Sequence, residues 1–254
     1  MIGAIIGDIA GSRFEFNNTR DYNFQLFHKD CSYTDDTICT VAVADAILRG
    51  ESYGDSLLRW CRKYPAPLGA YGGSFNRWIH SENPQPYNSF GNGAAMRVSP
   101  VAWAFNDSSE VMRNAMASAE CTHNHHEGII GAIATAELIF VYRGSPMAGE
   151  FVNLIGGLYY GRDWENDLPH PGVFDETCQG CVPLAFHIIK ESTSFEDAIR
   201  RAVSYGGDSD TLAAIVGSIA EARWDIPIEM QKQAMNMLPR DMLKVVINFN
   251  QKFR

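Results

Sequence analysis

Residues 37–49 read Thr37-Ile38-Cys39-Thr40-Val41-Ala42-Val43-Ala44-Asp45-Ala46-Ile47-Leu48-Arg49, and Gly50 follows. Ala, Val, Ile and Leu dominate this stretch, and no Gly or Pro interrupts it. The pattern predicts a helix, with Gly50 placed as its terminal cap. Working outward, residues 127–142 repeat apolar side chains at helical spacing and stop before Gly144 and Pro146. Further helices are expected over 75–80, 195–203, 212–223, 230–238 and 242–249. One more is expected over 175–190, bent near Pro183. Strand signals are poor. The hairpin dipeptide Asn92-Gly93 occurs once, without flanking alternation. The sequence therefore predicts an all-α fold of many packed helices.

The chain has 254 residues, of which 46% are hydrophobic, enough to bury a sizeable core. At ~150 residues per domain this gives between one and two domains. No Pro-, Ser- or Gly-rich linker marks a boundary, so residues 1–254 are read as one compact domain. The formal net charge of −9 argues against nucleic acid and anionic membranes as partners. No run of about eighteen apolar residues predicts a membrane span. The opening residues Met1-Ile2-Gly3-Ala4-Ile5-Ile6-Gly7-Asp8 lack a basic start, and Asp8 interrupts them early. No signal peptide is expected, and the predicted location is cytoplasmic. The six cysteines form no secreted-scaffold pattern. The one Cys-x-x-Cys, Cys178 to Cys181, is read as a pair of reduced thiols in a helical segment.

Two acidic runs carry the strongest chemistry. They are Tyr33-Thr34-Asp35-Asp36-Thr37 and Gly206-Gly207-Asp208-Ser209-Asp210-Thr211. Each places two carboxylates and hydroxyls just before an apolar helix. N-capping accounts for either run alone, at ~1 kcal/mol, helped by the helix dipole. A cap needs one side chain, however, and each run offers several. Carboxylate and hydroxyl oxygens are hard ligands suited to Mg²⁺ or Mn²⁺, and the absence of Cys and His argues against zinc. If the runs meet, four carboxylates share a pocket, and their repulsion calls for cations. In Gly7-Asp8-Ile9-Ala10-Gly11-Ser12-Arg13-Phe14-Glu15, a continuous helix would put Asp8, Gly11 and Glu15 on one face. Gly11 would let another backbone approach, and Glu15 would bring a fifth carboxylate.

Three loops accompany these runs. Leu68-Gly69-Ala70-Tyr71-Gly72-Gly73-Ser74-Phe75 precedes a helix, and its amides can cradle a phosphate. It is neither a Walker loop nor a dinucleotide fingerprint. In Ser89-Phe90-Gly91-Asn92-Gly93-Ala94-Ala95-Met96-Arg97, Phe90 can stack on a base and Asn92 can bond a sugar. Arg97 can meet a phosphate or a carboxylate. In Thr122-His123-Asn124-His125-His126-Glu127 no zinc-type spacing accompanies the histidines, so His123 is read as a hydrogen-bonding residue beside the cleft.

Together these motifs resemble the ADP-ribosylglycohydrolase family, over residues 3 to about 223. Six occur in family order: Gly-Asp-x-x-Gly-Ser-x-x-Glu at 7–15, Tyr-Thr-Asp-Asp-Thr at 33–37, the Gly-rich turn at 69–74, Gly-Asn-Gly-x-Ala-Met-Arg at 91–97, Thr-His at 122–123, and Gly-Gly-Asp-Ser-Asp-Thr at 206–211. The resemblance implies a compact orthogonal multi-helix bundle with two Mg²⁺ or Mn²⁺ ions in a cleft. It assigns Thr34, Asp35, Asp36, Asp208, Asp210 and Thr211 to the metals. It assigns Gly72, Gly73, Ser74, Phe90, Gly91, Asn92, Gly93 and His123 to ADP-ribose. Glu15, Asp36 and Asp210 become the candidates for proton transfer. The implied reaction cleaves the glycosidic bond between ADP-ribose and an acceptor on a protein or small conjugate, releasing free ADP-ribose. The chain is shorter than many members, mostly between Tyr142 and Asp208, and its sequence leaves the acceptor open among arginine, serine, a base and an O-acetyl ester. Two alternatives are a catalytically silent ADP-ribose-binding protein and a two-metal phosphoesterase. The intact acidic set speaks against the first, and the missing His-rich ligands speak against the second.

Overall fold

A computed structural model describes residues 1–146 and 149–253. Its elements in chain order are α1 (Ile2–Gly11), a short 3₁₀ turn (Ser12–Phe14), α2 (Asp35–Arg49), α3 (Tyr53–Lys63), α4 (Gly73–His80), α5 (Gly93–Met96), α6 (Ser99–Ala104) and α7 (Ser108–Glu120). There follow α8 (His126–Gly144), α9 (Phe151–Tyr160), α10 (Cys178–Glu191), α11 (Phe195–Tyr205), α12 (Ser209–Arg223), α13 (Ile228–Asn236) and α14 (Arg240–Phe253). Among the described residues there is no strand, only two isolated bridges, Thr34 with Leu68 and Gly91 with Thr177. The fold is all-α. No described helix is long and apolar enough to cross a membrane.

The centre of the molecule is the pair α1 and α12. Every residue of α1 is buried, as are all from Ser209 to Ala222 in α12. A helix apolar on all sides must be covered on all sides. The close approach comes from small residues on one face. A Cβ at Gly7 would overlap the carbonyl of Ala213, and one at Gly11 would lie 2.5 Å from the Asp210 Cα. Gly11 thus permits the backbone approach expected from its sequence, directly beneath the second acidic run. Helices α2, α8, α10 and α11 pack around this pair.

Helix ends follow local chemistry. Gly50 ends α2 at φ 67°, in the left-handed region that favours glycine. Thr177 starts α10 by accepting the Gly180 N–H, so the helix begins at Cys178 rather than near Asp175. It then runs continuously through Pro183. The first helix differs most from expectation. It does not carry Glu15 on its face, because the chain tightens into the 3₁₀ turn after Gly11.

Candidate active site

The N-terminus of α2 is moored from below by Asp8 of α1. Asp8 Oδ1 accepts the Thr34 hydroxyl at 2.8 Å, and Oδ2 accepts the backbone N–H groups of Thr34 (3.0 Å) and Thr37 (3.1 Å). The Thr37 hydroxyl donates to the same oxygen. Thr34 caps the helix by accepting the Asp36 N–H at 3.2 Å. For the first run the capping explanation therefore holds, but it engages Thr34 and leaves the carboxylates over.

The second run behaves differently. Asp208 stands at the cap position of α12 and caps nothing. Its Oδ2 instead accepts the Asn92 side-chain amide at 2.6 Å. The two runs meet directly: the Thr211 hydroxyl donates to Asp36 Oδ2 at 3.1 Å. Asp8, Asp36 and Asp210 each offer an oxygen within 4.8 Å of the others'. Asp36 Oδ1 and Asp210 Oδ1 are buried and have no hydrogen-bond partner.

Above this floor lies a cleft of about 330 Å³. Glu15, Asp35, Asp208, Asp210 and Thr211 line it, while Thr34 and Asp36 lie beneath. Gly72, Gly73 and Ser74 form one wall at the start of α4. Gly91, Asn92, Gly93 and His123 form another. The turn bearing Phe90 and Asn92 is pinned to the segment before α10, with Asn92 N–H donating to the Glu176 carbonyl (2.7 Å) and Cys178 N–H to the Phe90 carbonyl (2.9 Å). Phe90 itself stands outside the lining, 45% exposed, edge-on to His125 at 5.3 Å.

Burial and mutual repulsion act on all the acids. Burial, then the charges of Asp208, Asp8 and Glu176, push Glu15 up to about 7. Burial takes Asp8 up to about 6 against the hydrogen bonds it accepts. Asp35, Asp36 and Asp210 are held well above the usual carboxylate range, by burial first and neighbouring carboxylates second. Asp208 is raised by burial, partly offset by the Asn92 amide.

A family model for ADP-ribosylglycohydrolase matches residues 1–246. The chain belongs to the ADP-ribosylglycohydrolase family. Relatives include the ADP-ribosylhydrolase ARH3 of Homo sapiens, 23% identical over 87% of this chain and 83% of that protein. Another is the ADP-ribosyl-[dinitrogen reductase] glycohydrolase of Rhodospirillum rubrum, 24% identical over 89% of this chain and 86% of its own. A solved ADP-ribosylglycohydrolase-related protein complex superposes with a TM-score of 0.75 at 22% identity, covering 100% of this chain and 97% of that one.

In this glycohydrolase the donor set fits a hard divalent cation. The orphaned oxygens of Asp36 and Asp210 are buried and acceptor-only when ionised, so each lacks the compensation that buried polar groups normally find. A cation held by these residues would supply it and oppose the repulsion that raises the cluster.

The other sequence candidates have structural partners. His123 bonds Thr122 Oγ1 through Nδ1 at 2.7 Å, and burial together with the nearby Arg97 cation holds it well below its ordinary value, hence neutral. Arg97 pairs with no carboxylate among the described residues. It donates to the Ser118 carbonyl (2.8 Å) and the Thr122 hydroxyl (2.7 Å). His125 caps α8 by accepting the Glu127 N–H. The thiols of Cys178 and Cys181 are free and buried, and donate to the carbonyls of Gly91 and Asp175. Sequence reasoning missed Asp8 as the anchor of the first run, and Glu176 as a second glutamate at the cleft. The Gly-Asp motif carried a signal for Asp8, whereas a lone loop glutamate carries none.

Proposed function

We propose that this glycohydrolase cleaves the bond between ADP-ribose and an acceptor on a protein or small conjugate, using two Mg²⁺ or Mn²⁺ ions. The observation that carries the reading is the junction of two acidic helix starts with unpartnered oxygens on Asp36 and Asp210. Thr34, Asp35, Asp36, Asp208, Asp210 and Thr211 would hold the ions. When bound, such ions supply charge neutralisation and a grip on the vicinal hydroxyls of the distal ribose.

The chain's own groups do the rest. The amides of Gly72, Gly73 and Ser74 at the start of α4 suit a diphosphate. Phe90 suits the adenine face, and Gly91, Asn92, Gly93 and neutral His123 suit the sugar. Cleavage at the anomeric carbon develops oxocarbenium character and needs a proton delivered or removed. Of the three candidates, Glu15 is the best suited. It lines the cleft and titrates near neutrality, where a group can work as acid and as base. Asp210 lines the cleft as well, while Asp36 lies under it and is tied to Thr211. The test is a panel of ADP-ribosylated arginine, serine, base and O-acetyl conjugates incubated with Mg²⁺ or Mn²⁺. Release of free ADP-ribose supports the reading. Release of phosphate or AMP, or ADP-ribose binding without turnover on any conjugate, overturns it.

A further inference from the structure

Between Glu15 and the Asp208 loop stands one side chain with an unusual set of bonds. The Asn18 carboxamide pairs with the peptide of Gly207 in both directions. Its Oδ1 accepts the Gly207 N–H at 2.7 Å, and its Nδ2 donates to the Gly207 carbonyl at 2.9 Å. The same Nδ2 donates to the carbonyls of Phe14 (2.7 Å) and Glu15 (3.2 Å), which close the 3₁₀ turn. One amide group therefore joins the turn that presents Glu15 to the residue that precedes Asp208.

The loop it holds has little support of its own. Gly206 and Gly207 both take positive φ, 78° and 83°. Unfolded glycines roam widely, so fixing two in succession is costly in entropy. Asp208 makes no capping bond that would lock the start of α12. The carbonyl of Val173 stands where a Gly207 Cβ would be, so the peptide is pressed from the other side. Two contacts lie nearby: Arg20 donates to the Tyr205 carbonyl just before the loop, and Phe16 stacks on Phe174, the residue after Val173, with ring centroids 5.9 Å apart.

We propose that Asn18 is a positioning residue that fixes the spacing between Glu15 and the Asp208–Asp210 ligand pair. It does not line the cleft. It acts because Glu15 and Asp208 arrive on segments far apart in sequence, and their relative placement has no shared helix to define it. The inference rests on the reading of Glu15 and the acidic runs given above. Groups that orient metal ligands from behind typically contribute about 10- to 100-fold to metal affinity or activity.

The experiment compares wild type, Asn18→Ala and Asn18→Asp by calorimetric Mn²⁺ titration, melting temperature, and kcat and KM on whichever ADP-ribosyl conjugate the wild type cleaves. Asn18→Ala removes all of these contacts. It should weaken Mn²⁺ binding and lower kcat by roughly tenfold or more, with a smaller change in KM and little change in melting temperature. Asn18→Asp keeps the acceptor for the Gly207 N–H and loses the donors. It should fall between the two, and it carries the test if the alanine variant does not fold. Mn²⁺ affinity and kcat within twofold of wild type in both variants would overturn the proposal. So would losses that merely follow a collapse in melting temperature. If the wild type releases no ADP-ribose from any conjugate, the functional reading fails, while the Mn²⁺ titration still decides the role of Asn18.

Discussion

Asp8 and Thr37 are joined twice: Asp8 Oδ2 accepts both the backbone N–H of Thr37, at 3.1 Å, and its hydroxyl. With the matching pair from Thr34, one buried carboxylate receives four donors from the first turn of α2. The first N–H groups of a helix have no partner within it, so Asp8 replaces a missing turn. Asp8→Ala leaves these donors buried and unpaired. Hydrogen bonds to a charged group contribute ~1.5–3 kcal/mol each and do not add simply, so a loss of at least ~2 kcal/mol is expected. Urea unfolding in the presence of a chelator separates this from any effect of lost metal. A variant as stable as wild type would show that the mooring is incidental.

The helical character of the chain was legible where apolar runs are dense and ends are marked, as in α2 with Gly50. Helices α3, α5, α6, α7 and α9 were not foreseen. In α7 the buried positions Val111, Ala115, Ser118 and Ala119 are mostly small and are interleaved with charges, so the apolar stripe is faint. The start of α7 is marked by Asp107 accepting the Glu110 N–H, a signal of ordinary strength in a polar stretch. The acidic runs were legible because repetition made capping alone a poor explanation. Their meeting was a matter of tertiary packing, which depends on the glycine face of α1 against α12. Glu15 reached the cleft by a route the helical spacing did not describe, through a 3₁₀ turn. Asn18 and Glu176 gave no signal, since a lone polar loop residue gains its role only from what the fold brings beside it.

The acid cluster implies a pH dependence that metal should reverse. Folding raises Asp8 from 3.8 to about 6 and Glu15 from 4.5 to about 7, and raises Asp35, Asp36 and Asp210 in the same direction. A group raised on folding stabilises the native state fully below its unfolded value. That contribution is lost as pH climbs through the folded value. His123 is lowered on folding and acts oppositely below about 6.5, and the partnered acids Asp45, Asp107, Glu165, Asp197 and Asp241, held below their ordinary values, act oppositely below about pH 5. In chelator the melting temperature should therefore fall between about pH 5 and pH 7, above the range in which the lowered acids act. Added Mn²⁺ should raise it most at the upper end, because a ligand that binds only the native state stabilises by mass action. Asp36→Asn should blunt that rise. A chelated protein with a flat profile, or an equal fall with Mn²⁺ present, would contradict the cluster's role.

Phe90 offers a separate check on the nucleotide assignment. It is 45% exposed and adjoins the 91–93 wall, and among the described residues its ring contact is with His125. Little of the fold depends on it, so Phe90→Ala should leave the melting temperature near wild type. Stacking of a base on an aromatic ring is worth ~1–3 kcal/mol, so free ADP-ribose should bind roughly tenfold more weakly. Calorimetry with ADP-ribose and with ribose 5-phosphate separates the base from the rest of the ligand. Equal losses for both ligands, or no loss for ADP-ribose, would move the adenine elsewhere.

Glu15 sits at the end of the 3₁₀ turn with Gly69 of the opposite loop packed against its carboxylate. Among the described residues it has no ion-pair partner, and the charges that raise it belong to other acids, Asp208, Asp8 and Glu176. Such a placement destabilises the ionised form, which suits the proton-transfer role proposed for it. Glu15→Gln keeps the volume and removes both the charge and the transferable proton. Relief of repulsion should leave the melting temperature unchanged or slightly higher. Turnover should fall by ~100-fold or more if the residue transfers a proton. The rate profile supplies a second reading. In the wild type, a limb governed by a group near 7 should appear in kcat/KM, and it should vanish in the variant. A variant with near wild-type turnover would remove Glu15 from the reaction. Lost turnover with the limb still present would assign that ionisation to another member of the cluster, with Asp210, which also lines the cleft, the next to replace.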